Sequence, residues 1–116
     1  MKIRIKGNSL RYRLTRTDVA IFSKNGRIEE QTNFGNAILT YALESSDTEQ
    51  LSATFENNKI TLFMPFVMAS EWAGTDRVGY ENKTDDFYLL VEKDFKCLDN
   101  VEEDQSDNYP NPLSKV

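Results

Sequence analysis

Basic and apolar residues alternate strictly at the start of the chain. Lys2-Ile3-Arg4-Ile5-Lys6 and Leu10-Arg11-Tyr12-Arg13-Leu14 both follow the period of two that a β-strand imposes, and Gly7-Asn8 between them is a turn dipeptide. The pattern predicts a hairpin with Ile3, Ile5, Leu10, Tyr12 and Leu14 on one face and Lys2, Arg4, Lys6, Arg11 and Arg13 on the other. Thr15 follows, with Asp18 three residues on, the spacing of a capping box with Asp in place of Glu. A helix is therefore expected to about residue 24, with Val19, Phe22 and Ala20 toward the core, and Gly26 is suited to the left-handed position that ends it.

Further along, residues 28–34 read as a polar strand near a sheet edge. Residues 37–44 form a strand with one strongly apolar face. Residues 51–56 and 59–64 flank Asn57-Asn58, a two-residue hairpin turn, because Asn tolerates positive φ. Pro65 opens a second short helix over 66–73, closed by Gly74. A short strand is expected over 78–81. Residues 87–95 begin as a continuous apolar run, which predicts a central strand buried on both faces. The order β-β-α-β-β-β-β-α-β-β, joined by short turns, predicts the α+β class. The expected architecture is a mostly antiparallel curved sheet, open or partly closed into a barrel, with one or two short helices against it. No internal repeat stands out. The globular domain is expected over 1–98. An acidic, proline-containing tail over 99–116 follows, partly ordered by docking of Tyr109.

At 116 residues the chain is long enough to bury one core without disulfides or a structural metal. Apolar residues make up 39% and charged residues 28%, and no apolar run approaches the length of a membrane span. A single cysteine, Cys97, excludes an internal disulfide and suggests a reducing compartment, most simply the cytoplasm. Histidine is absent. Triads, Cys-His dyads and zinc sites of the Cys/His type cannot be built without an imidazole. No cofactor or metal is expected, and any catalysis would have to run on carboxylates, lysines, tyrosines or the lone thiol.

The net charge of −5 is unevenly placed. Residues 1–27 hold eight cations and one acid, a net of +7, and the remainder carries −12. The acidic balance argues against nucleic acid as a partner. An anionic small molecule or a protein partner suits the basic end, and an exposed edge strand would permit a homodimer.

Four stretches carry a resemblance: residues 7–15 (Gly-Asn-Ser-Leu-Arg-Tyr-Arg-Leu-Thr), 72–79 (Trp-Ala-Gly-Thr-Asp-Arg-Val-Gly), 92–98 (Glu-Lys-Asp-Phe-Lys-Cys-Leu) and 104–112. Together they resemble a family of small bacterial proteins of unknown function. The resemblance implies a stand-alone domain of bacterial type and brings no activity or site residue with it.

The basic face Lys2, Arg4, Lys6, Arg11 and Arg13 is the leading candidate for a binding site. Cross-strand cations about 5 Å apart need something anionic between them. A phosphorylated ligand held by arginine forks would serve, and so would Glu29, Glu30, Glu92 or Asp94 on neighbouring strands. The Glu-x-Glu-x-Lys opening of triphosphate-hydrolysing barrels of the CYTH type is absent; this chain opens Lys-x-Arg-x-Lys. A salt-bridged, solvated face is the simpler reading. Asp99, Glu102, Glu103, Asp104 and Asp107 lack the spacing of a calcium loop and read as a solvated tail. Cys97 reads as a structural thiol. Trp72 reads as a core anchor, with a pocket shared with Tyr80 and Tyr88 as the alternative. Glu71 with Asp76, or Glu92 with Asp94, could act as paired carboxylates only if the fold brings them together. The ending Tyr109-Pro110-Asn111-Pro112 suits either a partner's groove or packing on its own domain. The functional expectation is a small non-enzymatic binding domain, with a phosphate or nucleotide binder or a phosphohydrolase as the alternative.

Overall fold

Two hairpins with a helix between them, and then the same again, make up the chain. The computed structural model describes residues 1–95 and 106–110. The first half runs β1 (Lys2–Lys6), β2 (Ser9–Leu14), α1 (Arg16–Asn25), β3 (Arg27–Asn33) and β4 (Ile38–Ser46). The second runs β5 (Ser52–Glu56), β6 (Lys59–Pro65), α2 (Phe66–Gly74), β7 (Gly79–Lys83) and β8 (Tyr88–Lys93). Corresponding elements begin fifty residues apart, except β3 and β7, which begin fifty-two apart. The repeat that the sequence does not display is thus plain in the backbone.

The class is α+β, as the element order predicts. The expected single curved sheet is instead two four-stranded sheets, β1-β2-β8-β7 and β3-β4-β6-β5, and no closed barrel forms among the described residues. Each hairpin is antiparallel. The two central pairings, β2 with β8 and β4 with β6, are parallel. Each sheet therefore takes one hairpin from each half, and exchanging the halves maps one strand order onto the other. Equivalent hairpins share their register: Lys2 pairs with Arg13 as Ser52 pairs with Phe63, and Arg27 with Glu44 as Gly79 with Glu92. The parallel pairings differ by two residues, Ser9 opposite Tyr88 but Lys59 opposite Thr40. A two-residue slip keeps every side chain on its face, so both halves still bury the same positions.

Local chemistry sets the element ends. Thr15 and Asp18 form the expected capping box, and Gly26 sits at φ 71° and donates to the Phe22 carbonyl. Asn57 and Asn58 both have positive φ, 52° and 62°, as a type I′ hairpin turn requires. β3 is an edge strand, as its polarity suggests. β8 is central, but its burial alternates, so it is covered on one face rather than both. Ala20 is exposed, not in the core.

The sheets face one another across a single core. Tyr12 meets Tyr41 edge-on with ring centroids 6.5 Å apart. Leu14, Leu43, Leu62, Met64 and Val91 are fully buried. The helices close one end, where Phe22 meets its own counterpart, Trp72, at 6.4 Å. All four hairpin turns lie at the other end. Trp72 is fully buried and donates from Nε1 to the Val78 carbonyl at 2.9 Å, so it anchors the core and lines no pocket with Tyr88. Residues 106–110 pack on α1. Arg16 N–H donates to the Asp107 carbonyl, and Tyr109 meets Phe95 at a tilt with ring centroids 5.9 Å apart and pairs with it as an isolated bridge. Cys97, the acids Asp99, Glu102, Glu103 and Asp104, and the expected domain boundary after residue 98 lie outside the described residues. Among the described residues no helix is long and apolar enough to cross a membrane.

Candidate functional site

The hairpin register sets the five predicted cations on the outer face of the first sheet, as the alternation requires. Three rows cross that face: Lys2-Arg13-Glu92-Gly79, Arg4-Arg11-Leu90-Glu81 and Lys6-Ser9-Tyr88-Lys83. The face is open rather than a tunnel. Its hollows include ones of about 280 Å³ beside Gly79, Glu81, Leu90 and Glu92, about 170 Å³ beside Arg4, Lys6, Ser9 and Arg11, and about 130 Å³ beside Lys2, Arg4, Arg11 and Arg13.

Two of the four acids named from the sequence neutralise part of this face. Glu92 stands on central β8, and its Oε1 accepts from both Arg11 and Arg13, the latter at 3.0 Å. Lys2 Nζ reaches Asp94 Oδ2 at 3.3 Å, and that carboxylate is buried. Glu29 instead pairs with Arg27 and Lys59 on the other sheet, and Glu30 with the terminal amine of Met1. Arg4 and Lys6 have no carboxylate partner among the described residues. Glu92 reaches its arginines because β8 pairs with β2, which sets it opposite Arg13. On its other side β7 approaches closely at Gly79, where a Cβ would lie 2.8 Å from Glu92 Cα.

The Met1 amine is held by Asp18 at 2.8 Å and Glu30 at 3.1 Å. Burial pulls its pKa down, but hydrogen bonds and charge from both carboxylates outweigh this and hold it above the ordinary value. Tyr41 donates to Glu30 at 2.9 Å, and Tyr80 donates to Glu71 at 2.6 Å. Burial, reinforced by these carboxylates, pushes both phenols up to about 12. Lys93 Nζ donates to the Thr75 carbonyl, and burial lowers its pKa. The paired-carboxylate readings do not assemble: Glu71 bonds Tyr80 and Arg77, while Glu92 and Asp94 each hold different cations. Among the described residues no three acidic or thiol side chains converge to hold a metal.

The sequence profile of a family of unknown function, DUF7009, matches residues 1–113. The chain belongs to that family. No curated protein matches it, and no solved structure matches it.

A further hollow of this DUF7009 chain is one that alternation alone does not reveal. It lies at the turn end, between the sheets, with a volume of about 390 Å³. Ile5, Leu10, Leu39, Phe55, Ile60 and Phe87 make its walls. Ile5 and Phe55 are repeat counterparts, as are Leu10 and Ile60. Ile5 belongs to the predicted apolar face yet is 59% exposed, and Phe55 is 67% exposed. A second hollow of about 310 Å³ shares Ala53 and Phe87 with it and continues between β5 and β7 to Leu51 and Leu89. The only sequence signal for this site is the placing of large apolar residues beside turns, at Ile5, Phe55 and Phe87.

Proposed function

We propose that this DUF7009 chain is a non-enzymatic interaction domain whose basic sheet face receives an acidic segment of a protein partner. One observation carries the reading. The two halves share a backbone plan, so each strand position has an internal control. At the positions of Lys2, Arg4, Lys6, Arg11 and Arg13 the second half has Ser52, Thr54, Glu56, Thr61 and Phe63. A hairpin at this place in the backbone plan therefore forms without cations, as β5 and β6 do in the second sheet. The outer face of the first sheet holds six cations and two acids, whereas that of the second holds Arg27 and Lys59 against Glu29, Glu44 and Glu56. A basic face on a chain of net charge −5 favours and steers an acidic partner.

The hollows beside the cations, about 170 and 130 Å³, support a macromolecular contact over a phosphorylated small molecule, which is normally enclosed in a pocket of about 300–1,000 Å³. Arg11, the best placed fork, is already committed to Glu92. The lone cysteine supports a reducing, cytoplasmic setting, which fractionation would check, and the resemblance to small bacterial proteins supports a bacterial origin.

The test is binding of an oligo-glutamate peptide to the whole chain at rising salt. Binding should weaken steeply with salt, because exposed pairs are screened, and Arg4→Ala with Lys6→Ala should remove most of it. Lys59→Ala, on the other sheet, should leave it unchanged. Absence of salt-sensitive binding overturns the proposal. So does saturable binding of inorganic triphosphate abolished by Arg11→Ala with Arg13→Ala, which would establish a phosphate site, or preferential binding of DNA.

A further inference from the structure

We propose that the apolar hollow at the turn end is a binding site for a single acyl chain with an anionic head, a free fatty acid. The helix end of the sandwich is filled by Phe22, Trp72, Leu14, Met64, Leu43 and Val91. At the turn end the corresponding layer does not close. Ile5, Phe55 and Phe87 are 59%, 67% and 41% exposed around a space of about 390 Å³. Leaving apolar area in water costs about 25 cal/mol per Å². An occupant that covers these walls recovers that free energy.

The shape of the space selects the occupant. No charged side chain lines the hollow, and its polar contributors are Ser9, Thr54 and the backbone at Gly7. The second hollow extends it past Ala53 and Phe87 along the seam between β5 and β7. The two hollows adjoin at Ala53 and Phe87 and take walls from both sheets, with Ser52, Asn82 and Thr84 as the polar lining of the second. Apolar walls on both sides suit a flexible hydrocarbon better than a flat protein surface. At the equivalent seam between β1 and β3 the Met1 amine sits on Asp18 and Glu30 instead.

The rim selects the head. Ser9 lines both the apolar hollow and the basic hollow of Arg4, Lys6 and Arg11. Lys6 stands between two lining residues, Ile5 and Gly7. The other charges at this end are Glu56 opposite Lys59, Lys83 beside Tyr88, and Asp85 and Asp86 on the β7–β8 turn, whose Phe87 is a wall of the hollow. Lys59 is already held by Glu29 at 3.4 Å. A carboxylate emerging over Ser9 meets the side of the rim formed by Lys6 and Arg4.

Calorimetric titration of the whole chain with dodecanoate, below its micelle concentration, tests this. One saturable site is expected. Ala53→Phe fills the junction of the two hollows and should weaken binding by at least about tenfold. Phe55→Ser is the second variant: its side chain is mostly in water, so the fold should persist while affinity falls. Lys6→Glu should weaken dodecanoate and leave dodecanol unaffected, which a merely greasy surface would not do. No saturable heat overturns the proposal. So does equal affinity in Ala53→Phe and Phe55→Ser, or a wild-type dimer that dodecanoate does not dissociate, which would make a second copy the occupant. The Ala53→Phe chain should still bind oligo-glutamate, so failure here is separable from failure of the basic face.

Discussion

Gly79 is needed for space rather than for backbone freedom. A Cβ there would overlap the Val91 carbonyl oxygen and lie 2.9 Å from Glu92 Cβ. These are largely backbone obstacles in a central strand, which cannot swing aside. Gly79→Ala should therefore destabilise the fold by about 1–3 kcal/mol, as overpacking does, and lower the thermal midpoint by several degrees. An unchanged midpoint would mean that β7 can stand off from β8. The tyrosines make a second residue-scale prediction. Tyr41 and Tyr80 keep their protons to about pH 12 in the fold, chiefly through burial, while the unfolded chain releases them near pH 10. The folded pKa is the higher one. The stabilisation is therefore complete below pH 10 and is lost as pH rises from 10 to about 12. Denaturant midpoints should fall over that interval, with the Tyr41 and Tyr80 ring resonances in NMR changing only as the chain unfolds. Ionisation of either ring at pH 10 in a folded chain would refute this.

Elements were legible where the chemistry that ends them is local. Thr15, Asp18 and Gly26 delimit α1, and Asn57-Asn58 delimits a hairpin, because each acts on neighbours within four residues. Thr15 is a sensitive test of that chemistry. Its hydroxyl accepts from Asp18 N–H while Asp18 Oδ2 accepts from Thr15 N–H and also holds the Met1 amine. Thr15→Ala should cost about 1 kcal/mol by chemical denaturation, and Thr15→Ser should restore most of it. The candidate face was legible for the same reason: alternation puts five cations on one side of any hairpin. Their neutralisation was less so. Glu92 lies 79 residues beyond Arg13, and only the parallel pairing of β2 with β8 sets them side by side. Nothing near Arg13 in the sequence selects Glu92 over Glu29 or Glu30, and both of those went elsewhere.

At the scale of the whole molecule the sheets exchange hairpins between the halves, and this is what the sequence hides. Repeat counterparts keep apolar character, as in Leu10 and Ile60, Leu14 and Met64, or Phe22 and Trp72, but scarcely any identity. A burial pattern survives such divergence, whereas residue-by-residue similarity does not. The architecture makes a firm prediction about cutting the chain. The connection between halves, residues 47–51, joins an outgoing strand of the second sheet to that sheet's far edge and holds only Leu51 in the core. The halves are held together by the two parallel pairings, the contact of α1 with α2 and ion pairs such as Arg13–Glu92 and Lys59–Glu29, none of which needs a covalent link. A half alone has two hairpins with no sheet to complete, and isolated hairpins are marginal in water. Chains cut after Thr48 should therefore be largely unstructured as separate fragments and should recover the native circular dichroism when mixed. Lengthening the intact connection twofold should cost only about 0.6 kcal/mol, the entropy of closing a longer loop. A first fragment that folds alone would show that its hairpins pair within the half, and the exchange of strands between sheets would then be wrong.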